Sequence, residues 1–595
     1  MKKFFGKCMA TVLALTTVFG AAACGGTTSS GGGTSDSGED AIEYTGNETT
    51  IKVMNFGGGI GRKWLDNAAR RFEKANVDAV FEDDKQGVKV EVTSSISTGS
   101  NAMSESGYNI YFDQLTEGVR VKIQQGLLCD ITEIVTGDLE TKDGETISIE
   151  DKLQEDLRYE YKGADGKYYA LPHYEFYNGA TYDVEIFNKY GLYLADSASE
   201  GVKYTCSLLK KDFYFIKNES SKKSCGNDGK YGTQDDGLPT TLEEFIALCD
   251  YMKRRKQVTP FVVAGSHVDY SGYFISGLWT ALAGYEASRA KFAFEGTVET
   301  VTGFGTDNLF AGVNTIKKPI TQTVEVTEET GYYAINDVNR YYAKAFMELA
   351  VKQGWIHENY ANSTFLHTDA MRNLILNGIG DYDEVGMIFE GTYWLNEAED
   401  NDIFYEYQRL NGDMTKERNI AYFHMPTSFN TPVTAGAGRE EALSSGVKTY
   451  AFLNNNMTTK RGQEGALAAS KAFLKFLYTD EEVKNFIKQS GTTKLGIDVE
   501  IDDEVLGGLN KAQKSVMTAR ANNRVVQQLA DNATLRESGR ALSYGINFGY
   551  RPHIEGVNYR DIVAAIDAGK SARACFEANC ISASTWATTY YKGNK

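Results

Sequence analysis

Apolar positions along the chain fall in two rhythms. Ile51-Lys-Val-Met-Asn-Phe56 reads as a strand, and three glycines follow, Gly57 to Gly59. Trp64, Ala68 and Phe72 then recur at i, i+4 and i+8, which predicts an amphipathic helix. Gly87-Val-Lys-Val-Glu-Val92 alternates as a second strand, and Asn109-Ile-Tyr-Phe-Asp113 reads as a third. A helical stretch ends at Gly126-Leu127-Leu128. Strand, helix, strand, strand, helix is the pattern of an α/β lobe with a largely parallel sheet.

The same rhythms continue downstream. Tyr168 to Pro172 predicts a strand after the Ala164-Asp-Gly-Lys167 turn, and Glu185 to Tyr190 a short helix. Val202 to Gly237 is rich in Lys, Ser, Gly and Asp and reads as a polar insert. Thr240 with Glu243, or Thr241 with Glu244, forms a capping box before a helical face of Leu242, Phe245, Leu248, Cys249 and Met252. Strands are expected at Pro260–Ala264, Val385–Phe389, Asn419–Pro426 and Val447–Phe452. Helices are expected around Tyr273–Ala283, Asn336–Gly354, Leu366–Asn377 and Gly465–Tyr478, with a further one capped at Thr479. The tail from about Asp503 reads as mostly helical.

The first residues change the picture. Lys2, Lys3 and Lys7 precede a nearly uncharged stretch, Met9 to Ala23, that ends in Ala21-Ala22-Ala23-Cys24-Gly25-Gly26. This is a charged start, an apolar middle and a small-residue cleavage site. Small residues running into Cys24 resemble a bacterial lipobox, although Ala21 stands where that pattern prefers Leu. Residues 1–23 are then a signal peptide, and Cys24 carries two acyl chains that hold the protein at the outer face of a bacterial cell membrane. Ordinary secretory cleavage beside a chance cysteine is the alternative. Residues 24–48 are Gly, Ser and Thr with scattered acids, as in a flexible tether.

More than 500 residues remain, too many for one hydrophobic core, so at least two lobes are expected. A formal net charge of −18 argues against nucleic acid and anionic membrane surfaces as partners. Of the 8 cysteines, Cys8 and Cys24 belong to the signal and anchor. Cys206 with Cys225, which bracket the insert, and Cys575 with Cys580 are the candidate disulfides; free buried thiols are the alternative.

Candidate chemistry sits mainly at predicted strand ends, where open α/β sheets bind ligands. Backbone N–H groups of Gly58 and Gly59 could meet a ligand oxygen, or simply make a tight turn. Ser95, between Ser94 and Ser97, could bond a ligand hydroxyl, or belong to a solvated loop. Asp113 and Gln114 could hold vicinal hydroxyls, or Asp113 could cap a helix. Tyr174, Glu175, Phe176 and Tyr177 form a dense aromatic and acidic segment. After Gly391, one of Tyr393 and Trp394 should face a cleft and the other the core. The 36 Tyr suit a cleft that stacks on sugar rings. Asp228, Asp235 and Asp236, in a glycine-rich loop, are candidate calcium ligands without EF-hand spacing, and a solvated turn is the alternative. No other cofactor is expected. The 6 His show no ligand spacing, and no nucleophile elbow or HExxH occurs.

Five ordered segments carry a resemblance to the family 1 extracellular solute-binding proteins of the maltose-binding type. They are Asn55–Asn76; Asn109–Asp113 with Gln125–Leu128; Tyr169-Ala-Leu-Pro172 through Asn178 and Phe187; Gly386-Met-Ile-Phe-Glu-Gly-Thr-Tyr-Trp394; and Ala466–Gly491. The resemblance implies an α/β, two-lobed periplasmic-binding-protein-like fold with a multi-strand hinge and an interlobe ligand cleft. Residues 49–172 plus 427–495 would form one lobe, and 173–426 plus 496–595 the other. It implies a monomer that captures a carbohydrate and docks on the permease subunits of an ABC transporter. Glu175 matches a position where the family often has a ligand-binding acid, and Tyr273 a stacking position. Tyr544, with Phe548 and Tyr550, falls where the family often adds an aromatic platform. Stretches at about 192–238 and 285–335 exceed the family pattern. Two rivals remain: a surface glycan-binding adhesin without a transporter, and a glycoside hydrolase using Asp113, Glu175 and Glu390.

Overall fold

The structure is a computed structural model, and it describes residues 42–95, 103, 106–114, 119–139, 144–267, 270–446, 449–527, 553–554, 557–558 and 562–591. Cys24, Tyr544, Phe548, Tyr550 and Ser97 lie outside the described residues. Gly46–Lys595 form one compact unit.

The chain opens with strands β1 (Thr49–Phe56), β2 (Val88–Ser95), β3 (Ile110–Gln114) and β4 (Leu171–Pro172). It then crosses to β5 (Asn178–Asp183) and a hairpin of β6 (Gly201–Cys206) and β7 (Lys211–Ile216). Next come β8 (Thr259–Val262) and a long hairpin of β9 (Thr297–Asn308) and β10 (Lys317–Glu325), followed by β11 (Val385–Gly391) and β12 (Ile420–Tyr422). It returns through β13 (Ala442–Ser444) to β14 (Thr449–Leu453), and β15 (Arg524–Val526) joins β13.

These strands build a mixed α/β architecture with two principal sheets. The first runs β2-β1-β3-β14-β4, with β1 parallel to both neighbours and β14 antiparallel between β3 and β4. The second runs β12-β5-β11-β8. Each sheet has its own core. Around the first, Trp64 and Phe72 on the helix Lys63–Ala75 meet Phe112, Phe473 and Phe486. Strand alternation divides the second sheet's contacts: Met387 and Phe389 face one core, Ile388 faces another. On the first of those faces lie the helices Leu242–Tyr251, Ser271–Ala293 and Val338–Lys352; on the other lie Trp394–Asp400 and Lys511–Asn522.

Capping chemistry fixes several helix starts. Thr241 and Glu244, rather than Thr240 and Glu243, form the capping box of Leu242–Tyr251. Thr479 accepts from the Glu482 N–H before Asp480–Ser490. Arg71 then clamps the Glu482 carboxylate with two bonds of 2.7 Å, tying the first helix to that later one.

Two expectations are corrected. The insert read as merely polar contains the β6–β7 hairpin, whose Phe215 is buried and stacks on Tyr251 at 4.1 Å. Its run Lys211-Asp-Phe-Tyr-Phe-Ile216 holds enough aromatic surface to fold onto the second core. The six described cysteines are free thiols, so neither the Cys206–Cys225 nor the Cys575–Cys580 pair is joined. Cys206 instead donates weakly to Asp250, while Lys344 donates to the Cys575 carbonyl at 2.8 Å and Arg340 packs on Cys580. His173 Nδ1 has no partner among the described residues, and the ring packs against Trp64, Phe112 and Phe486.

Beside His173, Lys494 Nζ sits 4.2 Å from the Phe486 ring centre, 4.7 Å from Tyr478 and 5.2 Å from Trp64, with no hydrogen-bond partner among the described residues. Burial pulls its ammonium down from 10.5 to about 7. Between those two values the unfolded chain alone keeps the proton, so stability rises with pH across that window. Lys494→Met is therefore expected to exceed the parent in stability at pH 6 by on the order of 2 kcal/mol, with the gain shrinking toward pH 10. Chemical denaturation at pH 6, 8 and 10 tests this; a gain that ignores pH would contradict the assignment.

Candidate functional site

Carboxyl ends of parallel strands collect the first group of candidates. Phe56 pairs with Ser95 in register, and the Gly57 N–H donates to the Ser95 carbonyl at 2.9 Å. Asn55 pairs with Phe112, so Asp113 stands one residue beyond on the neighbouring strand. Gly58, Gly59, Ser95, Asp113 and Gln114 thus share one edge of the first sheet. Asp113 is buried and accepts the Gln114 N–H at 2.8 Å.

Two segments run side by side between this edge and the second sheet. Residues 173–177 run from β4 to β5. Ser445 and Gly446 run back beside them: Tyr177 bridges Ser445, and the Gly446 N–H donates to the Phe176 carbonyl at 2.9 Å. The Ser445 N–H donates to Val526 at the end of β15 at 3.0 Å. A Cβ on either Gly391 or Gly446 would strike the Phe176 ring, so two glycines make the slot this ring occupies.

Side chains of the crossing segment alternate. Glu175 and Tyr177 turn one way. The Tyr177 hydroxyl donates to Glu175, Arg520 Nε donates to it at 3.3 Å, and Gln527 Nε2 donates at 2.9 Å. The Glu175 N–H bonds the Thr493 carbonyl at 2.9 Å, and Thr492 Oγ1 donates to the Glu175 carbonyl. Glu175 is therefore a buried, fully engaged hub of the junction.

Tyr174 and Phe176 belong to a second group. Phe176 meets Tyr393 at 4.8 Å and Tyr273 at 6.3 Å, and Tyr273 meets Tyr270 at 5.3 Å. Tyr273 remains partly exposed at the start of Ser271–Ala293. The Tyr393 hydroxyl donates to Glu390 at 2.9 Å. Trp394 is fully buried in the core, its indole N–H donating to Thr181 at 3.1 Å.

Sequence reasoning missed Glu397. It lies on Trp394–Asp400, and its Oε1 accepts the Gly59 N–H at 2.8 Å across 338 positions of sequence. Its Oε2 is buried and has no partner among the described residues. Burial and the nearby Asp400 push this carboxyl up to about 7, although the Gly59 N–H lowers it. A Cβ on Gly59 would overlap the Tyr174 hydroxyl, and one on Gly61 the Asp400 carboxylate. Both glycines have positive φ, 68° and 65°. The loop's glycines thus admit side chains from the other sheet's elements.

Asp228, Asp235 and Asp236 hold a loop rather than converge on an ion. Asp235 Oδ2 accepts the Asp228 N–H at 3.1 Å, Asp236 Oδ2 the Gly232 N–H at 2.6 Å, and Thr233 donates to Asp235 at 2.8 Å. Among the described residues, no group of three or more His, Cys, Asp or Glu could hold a metal. No described helix is long and apolar enough to cross a membrane.

No family model matches the chain, and no curated protein matches it. Solved structures of sugar-binding proteins are similar to it. Maltose-bound MalE3 of T. maritima is 13% identical with a TM-score of 0.47, covering 89% of this chain and 98% of its own. RafE in complex with raffinose is 13% identical with a TM-score of 0.46, covering 87% and 98%. A chitin oligosaccharide binding protein is 14% identical with a TM-score of 0.46, covering 90% and 99%.

Two outcomes follow from the site's electrostatics. Removing the Arg520 guanidinium strands a buried carboxylate, so Arg520→Ala should cost about 3 kcal/mol. In a double-mutant cycle with Glu175→Gln, a coupling below about 0.5 kcal/mol would show that the pair is not the hub described. A carboxyl raised from 4.5 to about 7 contributes its stability fully below 4.5 and loses it as pH rises through 7. Glu397→Gln should therefore gain on the parent as pH goes from 5 to 8, by on the order of 2 kcal/mol. Parallel stability curves for the two proteins would rule this out.

Proposed function

We propose that this protein is an extracytoplasmic binding protein that captures a carbohydrate, an oligosaccharide, and passes it to an ABC-type importer. The observation that carries this reading is the aromatic group of Phe176, Tyr273 and Tyr393 with Glu390 at the junction of two sheets, next to the helix whose Glu397 bonds Gly59. Flat rings suit the C–H faces of sugars, and carboxylates and backbone N–H groups suit their hydroxyls. Two sheets joined by crossing segments would give a hinge about which such a site opens and closes.

The anchor belongs to the same proposal. A lipidated Cys24 and a Gly/Ser/Thr tether keep the binding unit beside the permease and limit its escape. The protein is proposed to bind without catalysis: Glu175 is engaged by Tyr177, Arg520 and Gln527, and Glu390 by Tyr393.

Calorimetry against maltotriose, raffinose and chitin oligomers tests the reading. Tyr273→Ala and Tyr393→Ala should each weaken the best ligand by roughly tenfold or more, and Tyr273→Ala should leave the melting temperature within a few degrees because its ring is partly exposed. Binding unchanged in both variants, or turnover of any oligosaccharide, would overturn it. Cys24→Ser should move the protein from the membrane fraction to the medium; retention at the membrane would remove the lipid anchor.

A further inference from the structure

A cavity of about 400 Å³ opens beside the Glu175 hub, a volume in the range of small-molecule sites. Arg520 and Thr493, which both bond Glu175, line it. Three stretches of chain meet there. Ile147 and Lys152 belong to the short helix Ile149–Lys152 and the turn before it, Ile497 to Ile501 follow the helix Asp480–Ser490, and Arg520 sits on Lys511–Asn522. Backbone bonds fix the wall. The Gln154 N–H donates to the Gly496 carbonyl at 2.9 Å, and the Asp498 N–H to the Lys152 carbonyl at 2.8 Å.

The lining combines three chemistries. Ile147, Ile497, Val499 and Ile501 make an aliphatic surface, with Ile147 43% exposed. Asp498 and Glu500 add exposed carboxylates. Arg520 adds a cation. Its Nε is committed to Glu175, yet its side chain stays 26% exposed, and a guanidinium carries five N–H donors. The other cation is already matched: Lys152 Nζ meets Glu145 at 2.5 Å, Asp480 at 2.7 Å and the Tyr478 carbonyl at 2.8 Å. Thr493 has a buried hydroxyl without a partner among the described residues.

No aromatic side chain is among the described residues that line the cavity, so it offers no platform for the C–H face of a sugar. A guanidinium, two carboxylates and an aliphatic surface instead match a molecule that carries a carboxylate, an ammonium and hydrocarbon together. We infer that this cavity binds an aliphatic zwitterion, an amino acid or short peptide with free ends. Its carboxylate meets Arg520, its ammonium meets Asp498 and Glu500, and its side chains lie on the aliphatic surface. Because Arg520 also holds Glu175, the occupant braces the junction from a place apart from the aromatic group.

Calorimetry at pH 7 with leucine, with dileucine, and with the N-acetylated and amidated forms of each tests this. At least one free form should bind, and each of its blocked forms at least roughly tenfold more weakly. Leucine binding points to a free amino acid and dileucine binding alone to a peptide. Bound ligand should also raise the melting temperature. Asp498 and Glu500 are exposed, so the double variant Asp498→Asn, Glu500→Gln should fold as the parent does. It should bind the free form roughly tenfold more weakly and the acetylated form unchanged. No binding of either free form, equal binding of free and blocked forms, or full affinity in the double variant would overturn the inference. So would displacement of the bound zwitterion by maltotriose, which would put both ligands in one site. Maltotriose binding by itself reads on the carbohydrate proposal alone.

Discussion

A single buried carboxylate organises the junction between the two sheets. Glu175 is reached by Tyr177 on its own segment, by Arg520 at the end of a helix and by Gln527 just past β15. Its backbone is held by Thr492 and Thr493, which follow the helix Asp480–Ser490. Three stretches of chain far apart in sequence thus converge on one acid. A buried charge tolerates little displacement from its partners, because any gap exposes the full desolvation cost. The junction is therefore fixed at this point.

Around that pivot, shape matters as much as charge. Phe176 turns away from the Glu175 hub and fills a slot bounded by Gly391 and Gly446. Glu175 and Phe176 are consecutive, so extended alternation sends the polar hub to one side and the aromatic group to the other. A change in the angle between the sheets moves both at once. Tyr393 is also linked to Glu397 and Gly59, because Tyr393 opens the helix that carries Glu397.

The sequence pattern made much of this fold legible. The run Ile51–Phe56, the helical spacing of Trp64, Ala68 and Phe72, and the Thr241–Glu244 box are local signals, and local physics decides them. The segment Tyr174–Tyr177 stood out because four bulky or charged residues in a row have no ordinary place in a strand. Glu397 gave no such signal. It sits in Glu397-Ala-Glu-Asp400, which reads as a solvated acidic helix face, and only Gly59, 338 positions away, makes it singular. Arg520 was equally silent, since its helix is polar and its partner is remote. The hairpin β9–β10 was hidden because much of it is exposed, which blurs the alternation of a one-faced strand.

Strand order also governs how the polypeptide can be made and moved. β14 lies between β3 and β4, yet it is laid down more than 270 residues after β4 ends. The first sheet has no complete hydrogen-bonded ladder until Thr449–Leu453 has emerged, and Trp586, whose indole N–H bonds the Glu328 carbonyl at 2.7 Å, completes the other core later still. Contacts this distant slow folding, because loop closure precedes any stabilising contact. During synthesis the first sheet therefore stays split, with β4 unjoined to β3, until most of the chain has emerged, whereas the second sheet has all four of its strands by Tyr422.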